Sequence, residues 1–210
     1  MDKEIYIIRH GETELNRQGI VQGRGINSDL NDTGRKQAAA FYEMYKDVPF
    51  DKVYTSELKR THQTVKGFID AGLPWQQLPG LDELAWGIWE GAENDEKAIS
   101  AFKDMMERWT SGDYDAHFEG GESPNEVVAR QKEAFEVIKA AANEKTVLVC
   151  MHGRAMRLLL CLLTNRPLSE MTEFPHQNTT LYKVELTGDQ YVITAFNNTD
   201  HLNHFSVEQD

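Results

Sequence analysis

Apolar residues in this chain fall either into short unbroken runs or into helical stripes, and each pattern predicts its own element. Ile5-Tyr6-Ile7-Ile8 and Thr146-Val147-Leu148-Val149-Cys150 are short and rich in β-branched residues. Such runs suit strands buried on both faces, the usual state in a parallel sheet. Each stops at a histidine followed by glycine, in Arg9-His10-Gly11 and in Met151-His152-Gly153. Residues 51–55 read as a third strand and residues 75–78 as a weak fourth. Residues 179–186 and 191–196 alternate around Thr187-Gly188-Asp189-Gln190, the pattern of a terminal hairpin.

The stripes between these runs predict helices. Asp32 or Thr33 caps one that carries Ala38, Ala39, Phe41, Tyr42 and Tyr45. Ser56 caps the next, with Glu57 in its first turn and Arg60 one turn in, and this helix runs to Ala71-Gly72. Residues 95–109 form an acidic amphipathic helix. Ser123-Pro124-Asn125-Glu126 is a capping box with proline at the first helical position, opening a helix to residue 142. A last helix covers 155–163. The polar, glycine-rich stretch from His10 to Asn31 reads as a long functional loop, and Trp86-Gly87-Ile88-Trp89-Glu90-Gly91 has too many glycines and aromatics for a simple helix.

Strands alternating with helices predict a three-layer α/β/α fold with a mostly parallel central sheet and a terminal antiparallel hairpin. No repeat, linker or low-complexity tract interrupts it. Residues 1–210 are therefore expected to form a single domain, with 92–122 as a small helical cap over the strand rim.

Charge narrows the partners. With 34 acidic against 22 basic residues the formal net charge is −12, which repels nucleic acid and anionic membranes, so a phosphate would need a local cationic pocket. Cys150 and Cys161 sit in apolar surroundings without metal-type spacing and read as buried thiols of a reducing compartment. Met1-Asp2-Lys3-Glu4 runs straight into the first strand, and no apolar stretch reaches membrane-spanning length. The expected location is the cytoplasm. A homodimer is compatible with the chain, whose oligomeric state stays open.

In open parallel sheets, ligands bind beyond the carboxyl ends of the strands. A single histidine there is ordinarily a partly exposed loop residue, but two matched His-Gly sites and an arginine at one rim make a stronger pattern. The residues gathered there are Arg9, His10, Arg60, Glu83 and His152. Two arginines and two histidines in an acidic protein make an anion site, and the planar guanidinium fork suits a phosphoryl group. A neutral imidazole can attack phosphorus and form a covalent intermediate, while fixed positive charge steadies the equatorial oxygens. The leaving oxygen needs a proton, for which Glu83 in its apolar and aromatic setting is the candidate and Glu90 the competitor. Metal binding by His10 and Glu12 lacks a third ligand at suitable spacing. His201 and His204 read as structural or solvated, and Trp86 and Trp89 as packing under the cap.

These residues give the chain a resemblance to the histidine phosphatase superfamily, also called phosphoglycerate mutase-like, over nearly its whole length. Arg9-His10-Gly11-Glu12-Thr13 resembles the Arg-His-Gly-Glu signature, with Asn16 where members carry asparagine. Residues 30–38 are similar to the segment opening the first helix. Thr55-Ser56-Glu57-Leu58-Lys59-Arg60-Thr61 matches the segment bearing the second arginine, and Met151-His152-Gly153 matches the second histidine. Leu81-Asp82-Glu83 with the following Trp86 to Gly91 segment fits the element bearing the acid/base, which selects Glu83 over Glu90. The resemblance implies phosphorylation of His10 and a phosphate pocket of Arg9, Arg60 and His152, with Glu83 as proton donor. It also implies substrate contacts from Asn16, Gln22, Gly23 and the Gly153 backbone, and no metal or other cofactor. Met151 and Arg154 depart from the family pattern; Arg154 either meets a second anionic group or points outward.

Glycolytic mutases of the family carry a longer insertion between the acid/base and the second histidine, and no such insert is visible here. The expected function is therefore metal-independent hydrolysis of small phosphorylated metabolites. The alternatives are mutase-type phosphoryl transfer and a non-catalytic binding module. The latter would have lost at least one of the five residues.

Overall fold

The computed structural model describes residues 2–207, with side chains through residue 203. The first half of the chain runs β1 (Lys3–Arg9), a one-turn α1 (Glu14–Arg17), α2 (Asp32–Tyr45), β2 (Lys52–Thr55), α3 (Lys59–Thr64), α4 (Lys66–Asp70) and β3 (Trp75–Gln77). The second half runs α5 (Glu96–Thr110), α6 (Pro124–Ala140), β4 (Thr146–Met151), α7 (Gly153–Leu163), β5 (Leu181–Thr187) and β6 (Gln190–Asn198). One sheet orders the strands β3-β2-β4-β1-β5-β6. The first four are mutually parallel, β5 adds antiparallel to β1, and β6 pairs antiparallel with β5.

The unbroken apolar runs are explained by what covers them. Ile5, Ile7, Val147, Val149 and Met151 face a core shared with α5, α6 and α7. Their neighbours Tyr6, Ile8, Leu148 and Cys150 face a second core with Phe41 of α2 and with Val65 and Phe68. Successive side chains of a strand point to opposite faces, so a strand covered on both sides must be apolar at every position. β3 is one of the two edge strands, short and largely exposed. Cys150 and Cys161 are buried free thiols.

Three local expectations are corrected. The long loop after His10 contains a one-turn helix, because Thr13 and Asn16 form a reciprocal capping box around α1. The cap of α2 is Asn31, whose side chain accepts from Gly34 N at 2.8 Å, rather than Asp32 or Thr33. The Ser56-capped helix begins later, at Lys59, with Leu58 in the capping position, and it breaks at Val65. Thr64 Oγ1 back-bonds to Arg60 O at 2.6 Å and accepts Gly11 N at 2.8 Å; such back-bonding bends a helix. The Ser123 capping box forms as read, with α6 ending at Ala140.

In residues 92–122, α5 buries Ala98, Met105 and Trp109. Trp109 and Phe118 pack on Trp86, and Trp109 Nε1 donates to Ala116 O at 2.8 Å. Trp86 and the partly buried Trp89 are packing residues here. His201 is buried with Nε2 3.0 Å from Thr179 Oγ1, and the side chain of His204 lies outside the described residues. No helix among the described residues is long and apolar enough to cross a membrane.

The start of α2 is pressed against the loop that follows β1. An added Cβ on Gly34 would stand 2.8 Å from Glu12 N, and one on Gly11 would stand 2.7 Å from Gly34 O. Backbone atoms on both sides leave no room to yield. Gly34→Ala is expected to lower stability by about 1–3 kcal/mol, as overpacking does, and denaturant unfolding of the pair would read it. An unchanged midpoint would refute the tight approach.

Candidate active site

The site begins with register. β1 and β4 pair so that Arg9 stands beside Met151, and His10 N donates to Met151 O at 3.0 Å. The two strands therefore end together and present His10 and His152 side by side, with ring centroids 5.1 Å apart. Both rings are almost wholly buried. Arg60 arrives from the first turn of α3 and is fully buried, and Glu83 comes from the turn after Leu81. The structure thus brings Arg9, His10, Arg60, Glu83 and His152 into one cluster.

Hydrogen bonds assign the tautomers. His10 Nδ1 donates to Gly11 O at 2.7 Å, which leaves the Nε2 lone pair unprotonated. Arg60 Nε donates to His152 Nδ1 at 3.2 Å, so His152 carries its proton on Nε2 and donates to Ser56 Oγ at 2.8 Å. Ser56 Oγ in turn lies 3.0 Å from Thr61 Oγ1, which donates to Leu58 O. Both histidines are held well below the usual imidazole pKa, by burial first and then by Arg60.

The hydrogen bonds that these arginines make end on neutral acceptors. Arg60 Nη1 donates to Ile26 O at 2.7 Å and Nη2 to Gly23 O at 3.3 Å. Arg9 Nη1 donates to His176 Nδ1 at 3.1 Å, while Arg9 Nε is buried with no protein partner among the described residues. Burial brings both guanidiniums down to about 10, opposed by the Glu83 carboxylate, so both stay charged at neutral pH. Carbonyls and an imidazole fill N–H valences without cancelling the charge.

Glu83 lies across the amino terminus of α7. Its Oε1 accepts Leu84 N at 2.9 Å and Ala155 N at 2.8 Å, and Oε2 accepts Arg154 N at 3.1 Å. Arg130 clamps this turn from α6, donating to Gly80 O, Asp82 O and Glu83 O. Glu90 is placed otherwise. Its carboxylate accepts Trp86 N at 3.0 Å and packs against the Gly23 and Gly25 backbone, bracing the loop.

Asn16 uses Oδ1 to accept Thr13 N and Asn178 Nδ2, each at 3.2 Å, leaving its amide nitrogen to donate. Gln22 Nε2 donates to Thr13 Oγ1 at 2.6 Å, and Ser28 donates to Gln22 Oε1. Gly153 is the first residue of α7, with the His176 ring against it. Arg154 does not point outward: its guanidinium lies 5.8 Å from the Trp86 ring centroid and 6.0 Å from that of Trp109. Glu12, weighed as a metal ligand with His10, instead accepts Asn31 Nδ2 at 2.7 Å.

Several residues at this site have no site role in the sequence reading. Ser56, expected as a helix cap, is the partner of His152. His176 and Asn178 precede β5, and because β5 is antiparallel to β1 its beginning shares the rim where the parallel strands end. Asn178 Nδ2 donates to His10 O at 3.1 Å. Arg157 Nε donates to Phe174 O at 2.8 Å and holds that segment in place. The polar trio His176-Gln177-Asn178 ahead of an apolar strand was the available clue.

The pattern of the histidine phosphatase superfamily (branch 1) matches residues 5–199. The chain belongs to this superfamily. It is 30% identical over 206 residues to phosphoserine phosphatase 1 of Hydrogenobacter thermophilus, covering 98% of this chain and 97% of that one. It is 30% identical to a metal-independent phosphoserine phosphatase of Arabidopsis thaliana, covering 95% of this chain and 83% of the relative. Among solved structures, YhfR of Bacillus stearothermophilus superposes with a TM-score of 0.83 at 25% identity, covering 95% and 99% of the two chains. The protein is accordingly an enzyme of phosphatase type with the phosphoglycerate mutase-like α/β fold.

The neutral histidines carry a consequence for acid stability. His10, His152 and His176, the last brought down to about 2 by burial and then Arg9, all have folded pKa values below the usual 6.5. The unfolded chain therefore binds protons that the folded chain refuses. This contribution to stability is complete above about pH 6.5 and is lost as pH falls below it, at about 1.4 kcal/mol per pH unit for each histidine. Denaturant unfolding between pH 6 and pH 5 is expected to show this decline, and His176→Asn to flatten it by about 1 kcal/mol per pH unit. An unchanged slope would contradict a neutral His176.

Proposed function

We propose that this phosphatase hydrolyses small phosphorylated metabolites by passing the phosphoryl group first to His10 and then to water. The observation that carries the reading is the His10 imidazole: neutral, held by Nδ1 on the Gly11 carbonyl, its Nε2 lone pair open, and close to two charged arginines. In the first step Nε2 attacks phosphorus, the ester P–O bond breaks, and Glu83 as the acid protonates the departing alcohol oxygen. In the second, Glu83 takes a proton from the attacking water, the P–N bond breaks, and inorganic phosphate leaves with His10 restored.

Arg9 and Arg60 supply the fixed positive charge for the transferring phosphoryl oxygens. His152 belongs to the phosphate pocket and also orients Arg60 through Nδ1. The Asn16 amide nitrogen and the Gly153 N–H are further donors to substrate. Gln22 and Gly23 contribute through the loop that Arg60 grips. Residues 92–122 act as the cap over the bound alcohol. This chemistry needs no metal: the guanidiniums supply the positive charge and His10 supplies the nucleophile. The net charge of −12 favours a small anionic metabolite over nucleic acid or an anionic membrane as partner, and two buried free thiols are in keeping with the reducing cytoplasm.

The test is phosphate release from a panel of phosphomonoesters, including an aryl phosphate and 3-phosphoglycerate, with a chelator present throughout. Release is expected to survive chelation, and His10→Ala to reduce it by roughly three orders of magnitude or more. Isomerisation of 3-phosphoglycerate without phosphate release would replace hydrolysis with the mutase reaction, and undiminished turnover in His10→Ala would sink the covalent route.

A further inference from the structure

The arginines of this protein divide into two groups. Arg17, Arg24, Arg35, Arg108, Arg130 and Arg166 each pair with a carboxylate. Among the described residues, Arg9, Arg60, Arg154 and Arg157 pair with none, although the chain holds 34 acidic residues. All four lie around the histidines. Arg9 and Arg60 are assigned to the phosphoryl group, and Arg157 braces the segment carrying His176 through Phe174 O. Arg154 is left without a task.

Its surroundings are those of a receptor rather than a brace. The guanidinium rests near the faces of Trp86 and Trp109, within the reach of a cation–π contact. Its one polar side-chain contact among the described residues is from Nη1 to the Met171 thioether at 3.6 Å, and a thioether is a weak acceptor. Two indoles and a sulfur hold the side chain in place and leave its fork of donors uncommitted. The residue as a whole stays partly exposed. The remaining positive charge of Arg9 and Arg157 lies close enough to Arg154 that all three act on His176.

Position then says which part of a substrate Arg154 meets. Its own backbone N–H is bonded to Glu83, the group that protonates the leaving oxygen, and its side chain runs beneath the cap. We propose that Arg154 is a specificity-determining residue that receives an anionic group, a carboxylate or a second phosphate, carried by the alcohol portion of the substrate. The inference rests on the phosphatase reading above and adds a substrate class to it: phosphomonoesters bearing a second anion.

Matched pairs test it. O-Phosphoserine and O-phosphoethanolamine differ by the carboxylate, and glucose 1,6-bisphosphate and glucose 6-phosphate by the second phosphate. The kcat/KM ratio within each pair is measured for the native enzyme, Arg154→Met and Arg154→Lys. Calorimetric binding of the same four compounds is compared between His10→Ala and His10→Ala/Arg154→Met. The native enzyme is expected to favour the doubly anionic member of one pair by about 10- to 100-fold, the worth of one or two charge-assisted hydrogen bonds. The pair that responds identifies the anion. Arg154→Met is expected to bring that ratio close to one, and Arg154→Lys to keep part of it. No preference in either native pair, or a preference that survives Arg154→Met because both members weaken equally, overturns the proposal. Absence of turnover with an Arg154-dependent binding preference would remove hydrolysis and leave the subsite standing.

Discussion

Positive charge that no carboxylate pairs with directly is the constraint on which this site depends. Arg60 is buried completely, and its N–H groups end on two carbonyls and an imidazole. Arg9 ends on a second imidazole. A carboxylate in those places would satisfy the same donors and cancel the charge that a phosphoryl group needs. The same field keeps the histidines neutral, because a protonated ring would face both burial and two guanidiniums. A neutral His10 is a nucleophile and a charged one is not, so the arginines prepare the attacking group as well as the anion site.

The fold holds this arrangement by coupling distant segments at one rim. Parallel pairing of β1 with β4 sets the two histidines together, and antiparallel pairing of β1 with β5 brings the start of β5, with His176 and Asn178, to the same edge. Arg60 grips the loop after α1 at Gly23 and Ile26, and Glu90 supports that loop from the other side. Arg130 fixes the Glu83 turn by three carbonyl contacts and joins it to Glu122 ahead of α6. Movement of any of these would be felt at the phosphoryl position, where a shift of about 1 Å is costly.

What the amino-acid pattern disclosed follows from the same physics. Strands covered on both faces leave an unbroken apolar signature, so the ends of β1 and β4 and their His-Gly pairs were legible. The Ser123 capping box was equally local. The break at Val65 was not, because it arises from Thr64 bonding both Arg60 O and Gly11 N, a residue 53 positions away. The chain neighbours of Ser56 favour a cap, whereas its imidazole partner is 96 positions distant. His176 and Asn178 escaped because the rim rule follows the carboxyl ends of parallel strands and says nothing about the start of an antiparallel one.

The central claim is that a neutral His10 accepts the phosphoryl group. Rapid acid-free quenching of the enzyme with a phosphorus-labelled substrate tests it most directly, followed by mapping of the label. A phosphoramidate formed on His10, stable to alkali and lost in acid, at up to one label per chain, is the predicted result. Turnover with no label on protein under single-turnover conditions, or a label carried by another residue, would contradict it.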